Sequence, residues 1–156
     1  MKGQTAVEYL MTYGWAILII LIVAGVLAYY GIFQPQGFLG PTARGFGQVQ
    51  VLNPWSLTTG GVITMNVQNQ VGGTINPANI SVAPTAGGSG TGYCEADPLS
   101  SSNISSGSQG VLRCTLSGVT MEAPGKPYSA SVTITYEYGT PAQAFTSTGT
   151  LSGTIG

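Results

Sequence analysis

Residues 9–33, YLMTYGWAILIILIVAGVLAYYGIF, carry no charge and follow directly on a lone acid, Glu8. A helix rises about 1.5 Å per residue and a bilayer core is roughly 30 Å thick, so about 20 apolar residues suffice to cross it. This run exceeds that length. A cleaved secretory signal has an apolar core of only about 7–15 residues before a small-x-small site, so a retained membrane helix is the better reading. Apolar residues cover every face, so the helix must be surrounded by lipid or by other helices. Gly14, Ala16, Ala24, Gly25 and Ala28 are small enough for close helix approach, and Ala24 with Ala28 forms a small-xxx-small pair. Lys2, on the short N-terminal side, favours that end remaining cytoplasmic and the rest of the chain lying outside.

Beyond the run the composition changes. Residues 34–45, QPQGFLGPTARG, hold Pro35, Pro41, Gly37, Gly40 and Gly45, which cannot continue a helix; the rod is expected to end near Phe33 and a linker to come next. Residues 46–156 are rich in Gly, Ser, Thr, Asn and Pro and read as one small β domain. The clearest strand is 128–138, where Tyr128, Ala130, Val132, Ile134, Tyr136 and Tyr138 alternate with polar residues. Further strands are expected at 47–52, 61–68, 79–83, 92–96, 110–116 and 144–152, separated by Gly, Pro or Asn turns. The fold expected is α+β: a long N-terminal apolar helix followed by an immunoglobulin-like sandwich, with a small barrel as the alternative.

Composition excludes several classes of function. The chain of 156 residues has a net charge of −1 and only 6% charged residues, which leaves no basic patch for nucleic acid. It has no histidine, the commonest general base and metal ligand. Glu95 and Asp97 stand in acid-x-acid spacing beside Cys94, yet no wider ligand set, catalytic pattern or Ser-x-x-Lys accompanies them, so they read as solvated loop acids. Neither an enzyme nor a cofactor is expected. Trp15 and Trp55 read as packing residues rather than ligand platforms.

The two cysteines, Cys94 and Cys114, bracket a Ser/Gly-rich stretch, and in an exported domain such a pair forms a disulfide. Closing a loop of about 20 residues contributes on the order of 3 kcal/mol in the chain-entropy model. Two sequons, Asn79-Ile80-Ser81 and Asn103-Ile104-Ser105, are open to N-glycosylation on an outward-facing domain, Asn103 the better placed by its Ser/Gly-rich surroundings.

The opening KGQTAVEYLMTYGWAILIILIVAGVLAYYGIF, residues 2–33, resembles the class III signal peptides of archaeal type IV pilins and related archaellum proteins. In that family a basic residue and a glycine precede a peptidase cut, and an acid stands at the fifth mature position. Lys2 and Gly3 match the pair before the cut, Gln4 would be the first mature residue and Glu8 the fifth. The resemblance implies a leader at 1–3, an assembly helix at 4–33, and a filament whose register Glu8 helps to set through the free amine of Gln4 on a neighbouring copy. It also implies partners: a prepilin peptidase, an assembly ATPase with its membrane platform, and other copies of the same chain. The subunit would sit in the cytoplasmic membrane before assembly and in an extracellular adhesive filament afterwards. An archaellin, or a monomeric membrane-anchored binding module, would share the same topology.

Overall fold

The structure, a computed structural model, describes residues 4–30, 33, 40–94 and 103–156. Lys2 and Gly3, most of the linker, and the acids Glu95 and Asp97 lie outside the described residues. The chain divides into two units, Met1–Pro35 and Gln36–Gly156.

The first unit is helix α1, Gln4–Tyr29. It stops short of Phe33: Tyr30 is already in a turn, although its amide still donates to Val26 O at 3.0 Å. The sequence reaches Gly31 at this point, and a residue without a side chain weakens helix propensity.

The second unit is all-antiparallel. Its strands are β1 (Thr42–Arg44), β2 (Val49–Leu57), β3 (Val62–Asn69), β4 (Asn76–Ala86), β5 (Gly88–Cys94), β6 (Gln109–Met121), β7 (Pro127–Tyr138) and β8 (Gln143–Thr154). They form one hydrogen-bonded order, β1-β8-β7-β4-β5-β6-β3-β2. This differs from the two packed sheets of the expected immunoglobulin-like sandwich, and the reason is the length of β6. Its first half pairs with β3, from Val62↔Thr115 to Gln68↔Gln109, and its second half pairs with β5, from Cys94↔Leu116 to Gly88↔Met121. One strand thus belongs to both halves, and the sheet curls around a single core toward a nearly closed barrel.

Closure is made where β2 meets the β1–β8 edge. Three of the inward positions of β8 are small, Ser147, Gly149 and Gly153, with Leu151 the large one between them. Large side chains from elsewhere fill the space they leave. Phe46 packs its ring over Gly149, and Trp55 of β2 packs over Gly153, where an added Cβ would stand 3.2 Å from the indole. The indole Nε1 donates to Thr42 O of β1 at 3.3 Å, and the ring lies 6.4 Å from that of Tyr128. Buried Ser147 accepts from Gly47 N at 3.0 Å and donates to Val49 O at 2.8 Å, while Gly156 N donates to Leu57 O at 2.9 Å. Side-chain and terminal hydrogen bonds here replace a continuous ladder.

Strands run further than their prolines suggest. Register shifts fall between Leu52 and Trp55 in β2, and between Pro77 and Asn79 and between Pro84 and Ala86 in β4. Proline offers no N–H to a ladder, so each strand bulges beside its proline and resumes pairing. The strands expected at 47–52 and 79–83 are therefore the unbroken portions of longer elements. Residues 42–44, expected in the linker, form β1 through pairing with 150–152 of β8.

The core is drawn from the inward positions of every long strand. Ile63, Met65 and Val67 of β3, Ile80 and Val82 of β4, Leu112 of β6, and Tyr128, Val132 and Ile134 of β7 are fully buried. The period-2 alternation of 128–138 is realised with Ser131, Thr133 and Thr135 half-buried on the outer face, while Ser129 on that face is buried.

Candidate functional site

Helix α1 is the most unusual surface of the protein. Among the described residues none of its side chains is buried, and Leu10, Trp15, Ile20 and Leu21 stand 64–69% exposed. Residues Ala6–Tyr29 are long and apolar enough to cross a membrane, as an anchor or a signal segment is. Exposed apolar area on this scale is stable in water only when something covers it.

The expected packing residues share one side of this helix. Gly14 and Gly25 are separated by three turns and about 20° at 3.6 residues per turn, with Ala24 and Ala28 within about 100° of them. An added Cβ at Gly14 or Gly25 would meet nothing within 4 Å. Glu8 projects about 100–160° away from that stripe, by the same periodicity. The structure therefore does not bring Glu8 and the small residues together. Glu8 is exposed, and its carbonyl accepts from Thr12 Oγ1 at 2.9 Å. Tyr9 and Tyr13, one turn apart, stack with ring centroids 4.2 Å apart. Gln4 opens the helix, whereas Gly3, on the other side of the expected cut, lies outside the described residues.

In the second unit Cys94 and Cys114 form the disulfide, clipping the end of β5 to the middle of β6 with 5.7 Å between Cα atoms. Asn79 is exposed on β4, immediately after the bulge at Pro77. Asn103 is exposed outside any strand, with a left-handed φ of 56° that asparagine tolerates better than most residues. The two sequons thus differ in setting, one within a paired strand and one in a loop. Glu122, just past the end of β6, and Glu137 on β7 are exposed, and no group of three His, Cys, Asp or Glu residues converges among the described residues.

No protein-family model, no characterised protein and no solved structure matches this chain.

Two polar features escape sequence reading. Asn69 at the end of β3 is fully buried and fully engaged: Nδ2 donates to Gly73 O and to Ile104 O, each at 2.8 Å, and Oδ1 accepts from Val71 N at 2.8 Å. It ties the 70–75 turn to the segment around Ile104, which itself exchanges backbone hydrogen bonds with Ile75 at 3.0 and 2.9 Å. The second is a cleft beside this knot, lined among others by Thr74, Asn76, Asn103, Glu137 and Tyr138. An asparagine in a polar chain gives no local signal of burial, and the cleft joins residues from three distant stretches.

Outward, β7 and β8 present a hydroxyl surface. Thr133 and Thr148 are cross-strand partners with their hydroxyls 3.0 Å apart, and Ser129, which is buried, repeats the arrangement with Ser152 at 3.0 Å. Burial holds two phenols neutral on the other side of the same sheet: desolvation raises the Tyr128 and Tyr136 hydroxyls above the ordinary tyrosine value.

Proposed function

We propose that this chain is the structural subunit of an extracellular filament of the archaeal type IV pilus kind, polymerising through α1 and displaying the β domain for adhesion. The observation that carries the reading is α1 itself, an apolar helix with no buried side chain among the described residues. Two coverings satisfy it, bilayer and neighbouring copies, and because both are apolar a transfer between them costs little hydrophobic free energy. Helix packing and placed charges then decide the outcome. The small-residue stripe and Glu8 stand on different faces, so one helix partner cannot use both. A bundle in which each helix meets several neighbours can.

The resemblance of residues 2–33 to class III signal peptides supports the same reading and supplies its processing step, a cut between Gly3 and Gln4. The amine so released is the natural partner for Glu8 of a neighbour. A pair of that kind in an apolar core fixes register more than it adds stability. A charge-poor, disulfide-clipped, hydroxyl-rich β domain suits exposure outside the cell, where Asn79 and Asn103 would meet glycosylation machinery. An archaellin would use the same helix for a rotating filament, and helical symmetry distinguishes the two.

Sheared cell-surface material viewed by negative-stain microscopy, with N-terminal sequencing of the subunit band, tests polymer and processing together. A filament whose subunit begins at Gln4 is expected. The absence of this chain from any filament, with all of it in the membrane fraction, would leave a monomeric anchored module as the answer. Glu8→Gln should reduce filament yield at least about tenfold while membrane insertion stays normal, since burying a lone partner charge is costly. Unchanged yield would make Glu8 a residue of the headgroup boundary.

A further inference from the structure

At one end of the β domain a cleft of about 240 Å³ opens between the start of β4, the end of β7 and the segment at Asn103. Asn76 and Glu137 are cross-strand partners, so their side chains leave the sheet on the same side. Tyr138, the next residue of β7, leaves the sheet on the other side and borders the cleft at the strand's end. Its ring lies against Gly73, where an added Cβ would lie 2.6 Å from Cε2, and near Phe145, whose ring centroid is 6.3 Å away. Asn103 contributes an amide from a left-handed backbone position, and Thr74 a hydroxyl.

The walls are fixed in place. Ile75 and Ile104 exchange two backbone hydrogen bonds across the floor, and buried Asn69 holds the carbonyls of Gly73 and Ile104 with one amide group. Thr74 and Asn103 are neighbours of these tethered residues in sequence. A site whose side chains are pre-positioned in this way loses less entropy on binding.

We propose that this cleft is a saccharide-binding site that takes one neutral pyranose residue. The lining chooses the class of ligand. Among the described residues no lysine or arginine lines the cleft, so phosphate and carboxylate ligands lack a counter-charge. Among the described residues the lining holds a single carboxylate, too few for a calcium site, which needs six to eight oxygen ligands. Two carboxamides each set a donor beside an acceptor, and Glu137 accepts from two hydroxyls, which matches the vicinal hydroxyls of a sugar ring. The Tyr138 ring offers an apolar face to the C–H face of that ring, with its hydroxyl as a polar end. The site does not depend on filament formation, because every residue in it belongs to the β domain. The sugar has two sources, a glycan on a foreign surface or one attached to Asn103 at the rim.

The test uses the full chain made in a host without N-glycosylation and held in a detergent that has no sugar headgroup. Amide chemical shifts are monitored while neutral hexoses, N-acetylhexosamines and their disaccharides are titrated in. At least one should shift resonances confined to 74–76, 103–104 and 137–139. Glu137→Gln and Asn76→Ala, both exposed, should each weaken that binding about tenfold or more with the thermal melt unchanged. Tyr138→Phe should preserve it and Tyr138→Ala abolish it. The proposal is overturned if no sugar shifts these resonances, or if binding survives Glu137→Gln and Asn76→Ala undiminished. Mass spectrometry of the Asn103 peptide from the native host then separates the sources. A bare Asn103, or a modified one that leaves free-sugar binding intact, assigns a foreign glycan; a modification that blocks free-sugar binding assigns the chain's own.

Discussion

Tyr128 places a phenol hydroxyl in the core with no hydrogen-bond partner among the described residues. A buried hydroxyl left unpaired costs about 1–3 kcal/mol, whereas the ring contributes its full apolar burial. Tyr128→Phe should therefore be neutral or stabilise by about 1 kcal/mol at neutral pH, read from denaturant unfolding of the full chain. The same burial raises the phenol's pKa in the folded state above the ordinary value of 10. The folded form resists ionisation while the unfolded form ionises from pH 10 upward. Stability from this group is complete below pH 10 and is lost as pH rises toward the folded pKa. Tyr128→Phe should remove part of that alkaline loss; an identical pH profile in the variant would show the phenol to be solvated after all. Asn69 is the opposite case, a buried polar group whose donors and acceptor are all used. Its local sequence, NVQNQ, gives no hint of which asparagine turns inward, because the partners are carbonyls at Gly73 and Ile104 supplied by the fold.

At the scale of the element, α1 and the strands were legible to different degrees. The apolar run announces a helix by length and by the absence of charge, and only its end moved, from the expected Phe33 to Tyr29. The small stripe on that helix leads to a test. Gly25→Leu adds bulk where the surface is open, so the folded chain and its membrane insertion should be unaffected. If copies pack along this stripe, the substitution should lower filament yield several-fold, visible in sheared material on a gel; equal yield would place the helix contacts on another face. Among strands, period-2 patterning located β3 and β7 closely, because both are half-buried along their length. It shortened β2 and β4, where prolines produce bulges that long neighbours tolerate. It missed β1, three residues whose strand character comes wholly from β8, more than a hundred positions away.

For the whole molecule, the decisive feature is closure of the curled sheet by large side chains over small ones. Trp55 crosses from β2 to Gly153, Thr42 and Tyr128 and is 5% exposed. Trp55→Ala should cost about 3–5 kcal/mol, the range for removing a large buried aromatic, with amide exchange rising first in β1 and the adjoining part of β8. A loss below about 1 kcal/mol would mean that the seam is not held by this packing. The disulfide acts far from that seam, at β5 and β6, and so constrains a different part of the same sheet.

By itself the sequence determined the membrane-length apolar helix, the β character of the domain after it, the cysteine pairing and the outward hydroxyls of β7. Each is set by local composition or by a short period, which one stretch of chain contains entirely. Tertiary structure alone decided that the strands curl into one nearly closed sheet instead of a two-sheet sandwich, that Ser147 and Trp55 bridge its edges, and that Asn76, Asn103, Glu137 and Tyr138 border one cleft. Those outcomes depend on pairing register and on which small residues face which large ones across the core. Such relations exist only between distant segments, and no window of sequence holds both sides of them.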